Sequence, residues 1–129
     1  MSRTRVFSNV PWEKQVGYCR AVRAGQLVFV TGTAPVGDDG KTHAPGDAYE
    51  QTKRCLMLIE RALKDVGASI TDVVRTRMFV TDITRWAEYG RAHKQVFGDF
   101  PPATTMVEVR SLIDPAMLIE VEADAVVEA

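Results

Sequence analysis

The sequence predicts an α+β fold, a mixed sheet of five or six strands with two helices on one face. Four segments, 18–31, 72–82, 104–109 and 118–126, carry apolar and polar residues at the strand period of two. Only two segments, 47–66 and 84–98, carry apolar residues at helical spacing. Two helices cannot cover both faces of such a sheet, so the second face needs another cover, and a partner subunit is the natural one. No linker, repeat or low-complexity stretch interrupts the 129 residues, which read as one domain over 1–129.

In chain order, an extra strand is expected near Arg5–Ser8. Tyr18 to Thr31 reads as a hairpin, YCRAVR and LVFVT joined through AGQ. Residues 32–47 are rich in glycine, proline and aspartate and form a long loop. Asp47 stands as the N-cap of the first helix, which buries Cys55, Ile59, Ala62, Leu63 and Val66 and stops at Gly67. Asp72 to Asp82 is a β-branched strand. Thr84 is expected to cap the second helix, with Trp86, Tyr89, Gly90, His93 and Phe97 along one stripe and its end at Gly98. Strands from Thr104 to Val109 and from Leu118 to Val126 complete the chain.

Composition narrows the function classes. Apolar residues make up 46% and charged residues 26%, as in ordinary folded domains and unlike disordered chains. A net charge of −1 argues against a dedicated nucleic-acid binder, which carries a basic stripe. No apolar run spans a bilayer, and the arginines of MSRTRVFSNV precede no apolar stretch of a secretory signal, so a cytoplasmic protein without membrane attachment is expected. Cys19 and Cys55 are far apart and neither pairs with a histidine at ligand spacing, so reduced thiols and no metal are expected. The GDDGK stretch at 37–41 lacks the spacing of a phosphate loop and reads as a turn.

Alternation assigns faces. In the last strand Met117, Ile119, Val121, Ala123 and Ala125 form the core face, opposite Leu118, Glu120, Glu122 and Asp124. In the middle strand Val74, Thr76, Met78 and Val80 share one face, and Val73, Arg75, Arg77 and Phe79 the other. Arginines and carboxylates therefore meet across the helix-free face. Alternation alone leaves open whether they form exposed ion pairs, a subunit interface or a polar pocket.

GYCRAV, VFVTGTAPV, DVVRTRMFVTDI, PPATTMVEVRSL and LIEVEADAV resemble, in order and spacing, the Rid family, also called YjgF-like proteins or reactive-intermediate deaminases. The resemblance runs from Tyr18 to Val126. It implies a chorismate-mutase-like fold and a homotrimer whose three sheets form a central barrel, with helices outside and ligand clefts between subunits. Its best-known members hydrolyse enamines and imines such as 2-aminoacrylate to keto acids and ammonia, without a cofactor.

Carried over by position, the resemblance implies Glu120 as the carboxylate that positions the attacking water. It also implies Tyr18, Thr31, Gly32, Trp86 and Met106 as pocket residues. One position departs. Deaminating members carry an arginine for the substrate carboxylate where this chain has Thr104, and a hydroxyl supplies neither charge nor fork geometry. Arg20, Arg75 and Arg77 are the candidate replacements, Arg20 because it follows Tyr18 by two residues on the same strand face. His93 reads as a structural histidine and Cys19 as inert.

Three functions follow from this reading. The first is a trimeric hydrolase of enamines or imines, with a substrate other than 2-aminoacrylate. The second is a trimer that binds a small metabolite without turning it over. A ribonuclease or translation inhibitor is the weakest, because no His/Lys cluster accompanies the near-neutral charge.

Overall fold

The computed structural model describes residues 2–8 and 10–128. Six strands and two main helices follow one another: β1 (Arg3–Val6), β2 (Ala21–Ala24), β3 (Leu27–Thr33), α1 (Ala48–Asp65), β4 (Val73–Val80), α2 (Trp86–Phe97), β5 (Ala103–Glu108) and β6 (Ile119–Val126). They form one sheet in the order β1-β2-β3-β6-β4-β5. Every pairing is antiparallel except β4 with β5, which α2 connects as a crossover. The expected mixed sheet is present.

Local chemistry sets the ends of α1. The Asp47 carboxylate accepts a hydrogen bond from the Glu50 amide at 3.0 Å, satisfying one of the helix's free donors. At the other end Gly67 takes φ +77°, and the amides of Gly67 and Ala68 donate to Lys64 and Leu63. Between these caps Cys55, Leu56, Ile59, Ala62 and Leu63 are buried against the core face of the sheet. Val28, Val30, Met78, Val80, Val121 and Ala123 supply that face. The hairpin closes through a two-residue turn in which Gly25 adopts φ +62°.

Four local expectations need correction. The first strand pairs over Arg3–Val6, because the register against β2 runs from Arg3–Ala24 to Val6–Ala21. The chain enters α2 through a 3₁₀ turn, Ile83–Arg85, capped by Asp82, which accepts from the Thr84 amide; Thr84 is the capped residue and not the cap. Trp86 is 62% exposed at the start of α2, whose buried residues are Tyr89, Ala92, His93 and Phe97. In β4, Val73 is buried and Val74 exposed, the reverse of the alternation, because Val74 is an extra residue between the pairs Val73–Ala125 and Arg75–Asp124.

Both helices lie on one face. The other face carries Leu27 and Phe29, each more than 40% exposed, beside Arg77, Glu122 and Asp124. Replacing Asp47 with alanine should lower the urea midpoint by about 1 kcal/mol of stability at unchanged slope. An unchanged midpoint would mean that water caps α1 as well as the carboxylate does.

Candidate functional site

A π-helical turn over Glu13–Gly17 brings the chain into β2 and buries Glu13, a residue that no sequence pattern singled out. The Ser8 amide donates to the Glu13 carboxylate at 2.9 Å and the Ser8 hydroxyl donates as well. Beside them the Arg20 Nε lies 3.4 Å from Glu13 Oε2. Arg20 Nη1 reaches the buried Thr33 hydroxyl at 3.5 Å, and the guanidinium carbon is 5.9 Å from the centre of the Tyr18 ring. The Arg20 amide donates to Val6 and its carbonyl accepts from the Thr31 amide, so its backbone is tied to both β1 and β3.

Beyond Val30 the pairing of β3 with β6 shifts. Val30 faces Ala123 and Thr33 faces Val121, so Thr31 and Gly32 together stand opposite Glu122 alone. This is a β-bulge, which bends the strand and re-aims its side chains. Here it opens room for Glu120. A methyl group built at Gly32 would overlap Oε2 of Glu120, so the carboxylate lies where only a glycine permits it. Burial pushes the Glu120 carboxyl above the usual carboxylate range; the nearby Arg20 charge opposes this and Glu122 adds to it. Among the described residues the Glu120 side chain makes no hydrogen bond and no ion pair. Burial also raises the Tyr18 hydroxyl, against the pull of Arg20.

Tyr18, Arg20, Thr31, Gly32 and Glu120 thus line one cleft of about 670 Å³, with Arg54 and Arg61 of α1 on its far wall. A broader concavity of about 1160 Å³ lies over the helix-free face and shares Tyr18 and Thr31.

The remaining candidates lie elsewhere in the chain. Arg77 Nη1 is 3.2 Å from both Glu122 Oε1 and Asp124 Oδ2, so it is committed to ion pairs across the open face. Thr104 and Met106 sit on β5, at the opposite edge of the sheet from β2, and on the helix-covered face. Thr104 accepts from Thr76 at 2.7 Å, Thr76 is in turn 2.8 Å from His93 Nε2, and Met106 packs against the core. From β6, which carries Glu120, to β5 is two strand spacings, about 10 Å, and Glu120 lies on the opposite face of the sheet from Thr104. Within one chain these residues and Trp86 do not meet Glu120. Burial lowers the pKa of His93 and raises that of the Cys55 thiol, in keeping with structural roles for both.

The profile of the family described as Endoribonuclease L-PSP matches residues 11–127. The chain belongs to this family, the YjgF family. Within it, the chain is 39% identical to SCO2049 of Streptomyces coelicolor over 121 residues, 94% of this chain and 90% of that one. It is 32% identical to the 3-aminoacrylate deaminase RutC of Acinetobacter baylyi over 107 residues, 81% of this chain and 82% of the relative. The crystal structure of Rv2704 from Mycobacterium tuberculosis, a YjgF/YER057c/UK114 family member, superposes with a TM-score of 0.89 at 52% identity, covering 98% of this chain and all of that one. The YjgF protein of E. coli gives 0.82 at 28% identity, covering 97% and 98%.

Exchanging Gly32 for alanine should leave the fold intact, since only the end of a flexible side chain must move. It should drive the Glu120 carboxylate toward solvent and bring its pKa back down toward the ordinary range, read by carbon-detected NMR titration. An unchanged titration would show that the glycine does not set the carboxylate's position.

Proposed function

We propose that this protein hydrolyses small enamines or imines, with Glu120 as the group that orients and deprotonates water. The observation that carries the reading is the uncommitted, partly buried Glu120 carboxylate beside Gly32, facing a cleft bounded by Tyr18 and Thr31. A carboxylate with no side-chain partner among the described residues can accept a proton, and its raised pKa brings it closer to that task at neutral pH. The 3-aminoacrylate deaminase among the relatives supports the reaction class.

The steps follow from the groups present. An enamine first takes a proton from solvent at carbon to give the iminium, whose positive charge the Glu120 carboxylate stabilises. Water, held by Glu120, adds to the iminium carbon as Glu120 takes its proton. Glu120 returns that proton to nitrogen and takes up the hydroxyl proton as the C–N bond breaks, a carbonyl compound and ammonia leave, and Glu120 releases its proton to solvent. Tyr18 and Thr31 border the ligand with hydroxyls. The Gly32 backbone can approach it without a side chain between them.

Trp86, Thr104 and Met106 enter a cleft in this reading only if a second copy brings its β5 edge to the first copy's Glu120. The exposed Leu27 and Phe29 on the helix-free face support that assembly, a homotrimer. Thr104 offers a hydroxyl and no charge, which argues for a substrate other than 2-aminoacrylate. The same feature favours the second reading, a trimer that binds a metabolite without turnover. A ribonuclease role has less support, because no histidine or lysine lines the Glu120 cleft among the described residues.

Exchange of Glu120 for glutamine should lower kcat by about 10²-fold or more with little change in KM, in an assay of ammonia release from imines generated in situ. Turnover surviving that change would remove Glu120 from the mechanism. Because the folded protein raises the pKa of Glu120, its ionisation costs stability as pH rises through that value. The glutamine variant should therefore be more stable than wild type at neutral pH, with the difference vanishing below the ordinary carboxylate range. Light scattering at micromolar concentration should give three times the 14.3 kDa chain mass; a monomer would overturn the trimer.

A further inference from the structure

Three side chains link the core to the β5 edge in a way that the hydrolysis steps do not use. His93 on α2 is 9% exposed and Thr76 on β4 is fully buried, whereas Thr104 on β5 is exposed. The Phe97 ring packs against His93, with centroids 4.7 Å apart. The Thr76 hydroxyl lies 2.8 Å from His93 Nε2 and donates to the Thr104 hydroxyl at 2.7 Å. A hydroxyl has one proton to give. Thr76 gives its proton to Thr104, so the hydrogen between Thr76 and His93 comes from the ring, and His93 is the tautomer protonated at Nε2. Thr104 accepts from Thr76 and keeps its own proton for a partner outside the chain of three. Among the described residues that proton has no acceptor.

This polarity narrows the ligand. Burial lowers the pKa of His93, so the ring adds no charge at neutral pH. Arg75, the arginine beside Thr76, pairs with Ala103 and Asp124 and stands on the opposite face of the sheet. A carboxylate brought against Thr104 would gain a hydrogen bond but no countercharge, while losing its own hydration. An amide or ester carbonyl needs only the donor. We propose that Thr104 is a specificity-determining hydrogen-bond donor, held in that polarity by Thr76 and His93, that selects an uncharged acceptor oxygen on the ligand. The substrate class is then an enamine or imine whose neighbouring group is an amide or ester and not a free acid. Thr76 and His93 are positioning residues. This inference rests on the assembly in which the β5 edge of one copy borders the Glu120 cleft of another, and it gives that reading its substrate class.

Tautomer and selectivity are read separately. Long-range proton–nitrogen NMR should find the neutral His93 ring protonated at Nε2. A proton on Nδ1 would send the Thr76 proton to His93 and overturn the inference. 2-Oxobutanamide, 2-oxobutanoate and 2-butanone would then be titrated by NMR into assembled wild type, T104V, T104S, T76V and T76S at one ionic strength. Wild type should bind the amide about fivefold or more tighter than butanone, the worth of one neutral hydrogen bond, with no preference for the acid over the amide. T104V should lose the amide's advantage and T104S should keep it. T76V should lose part of it and T76S should restore it, with butanone binding unchanged throughout. T76V leaves the His93 N–H without its acceptor, so if that variant does not fold, the tautomer and the Thr104 pair decide the outcome. A preference for the acid in wild type, no advantage of the amide over butanone, or an advantage undiminished in T104V would each overturn the inference. Amide selectivity through Thr104 in a protein that turns over no imine would sink the hydrolase reading and leave this one standing; turnover with no selectivity through Thr104 would do the reverse.

Discussion

One extra residue in β3 organises the candidate site. Val30 and Thr33 pair normally with β6 on either side, but Thr31 and Gly32 share a single partner. A sheet absorbs such an insertion by bending locally, and the bend is where the carboxylate of Glu120 finds space. The bulge also sets the carbonyl of Arg20, which accepts from the Thr31 amide, so the cation and the carboxylate are referred to the same point in the backbone.

Around that bend the charges are arranged unequally. Glu13 is almost fully buried, with Ser8 donating to it and Arg20 against it, while Glu120 is left without a partner among the described residues. Folding thus gives one carboxylate hydrogen-bond donors and withholds them from the other, whose pKa burial raises. Elsewhere on the helix-free face Arg77 divides itself between Glu122 and Asp124. Those pairs are open to solvent, where each is worth about 0–1 kcal/mol, so they contribute more to the character of the surface than to its stability.

The sheet order separates what the resemblance groups. Tyr18, Thr31 and Glu120 gather where β2, β3 and β6 lie side by side, whereas Thr104 and Met106 lie beyond β4 at the far edge. On that edge the exposed Thr104 hydroxyl ends a hydrogen-bonded chain that runs through the buried Thr76 to His93. A β-branched residue that reads as a simple strand former is in fact half of a polar contact through the sheet's covered face.

The sequence by itself determined the elements and the core. Periodicity is local, so the 3.6-residue stripe of α1, its Asp47 cap and Gly67 stop, and the alternating core face of β6 could be read without knowing what they touch. The YjgF-like motifs in register pointed to Tyr18, Thr31, Gly32 and Glu120, which the fold does bring together. Tertiary structure decided the rest. Both bulges arise from pairing between distant strands, so nothing at Val74 or Gly32 announces them in advance. Glu13 lies in a turn of neither helical nor strand period, and only the approach of Arg20 and Ser8 gives it meaning. Arg20, Arg75 and Arg77 are equivalent as letters. Which of them faces a cleft and which is spent on ion pairs depends on neighbours far away in sequence, and folding alone puts those neighbours in place.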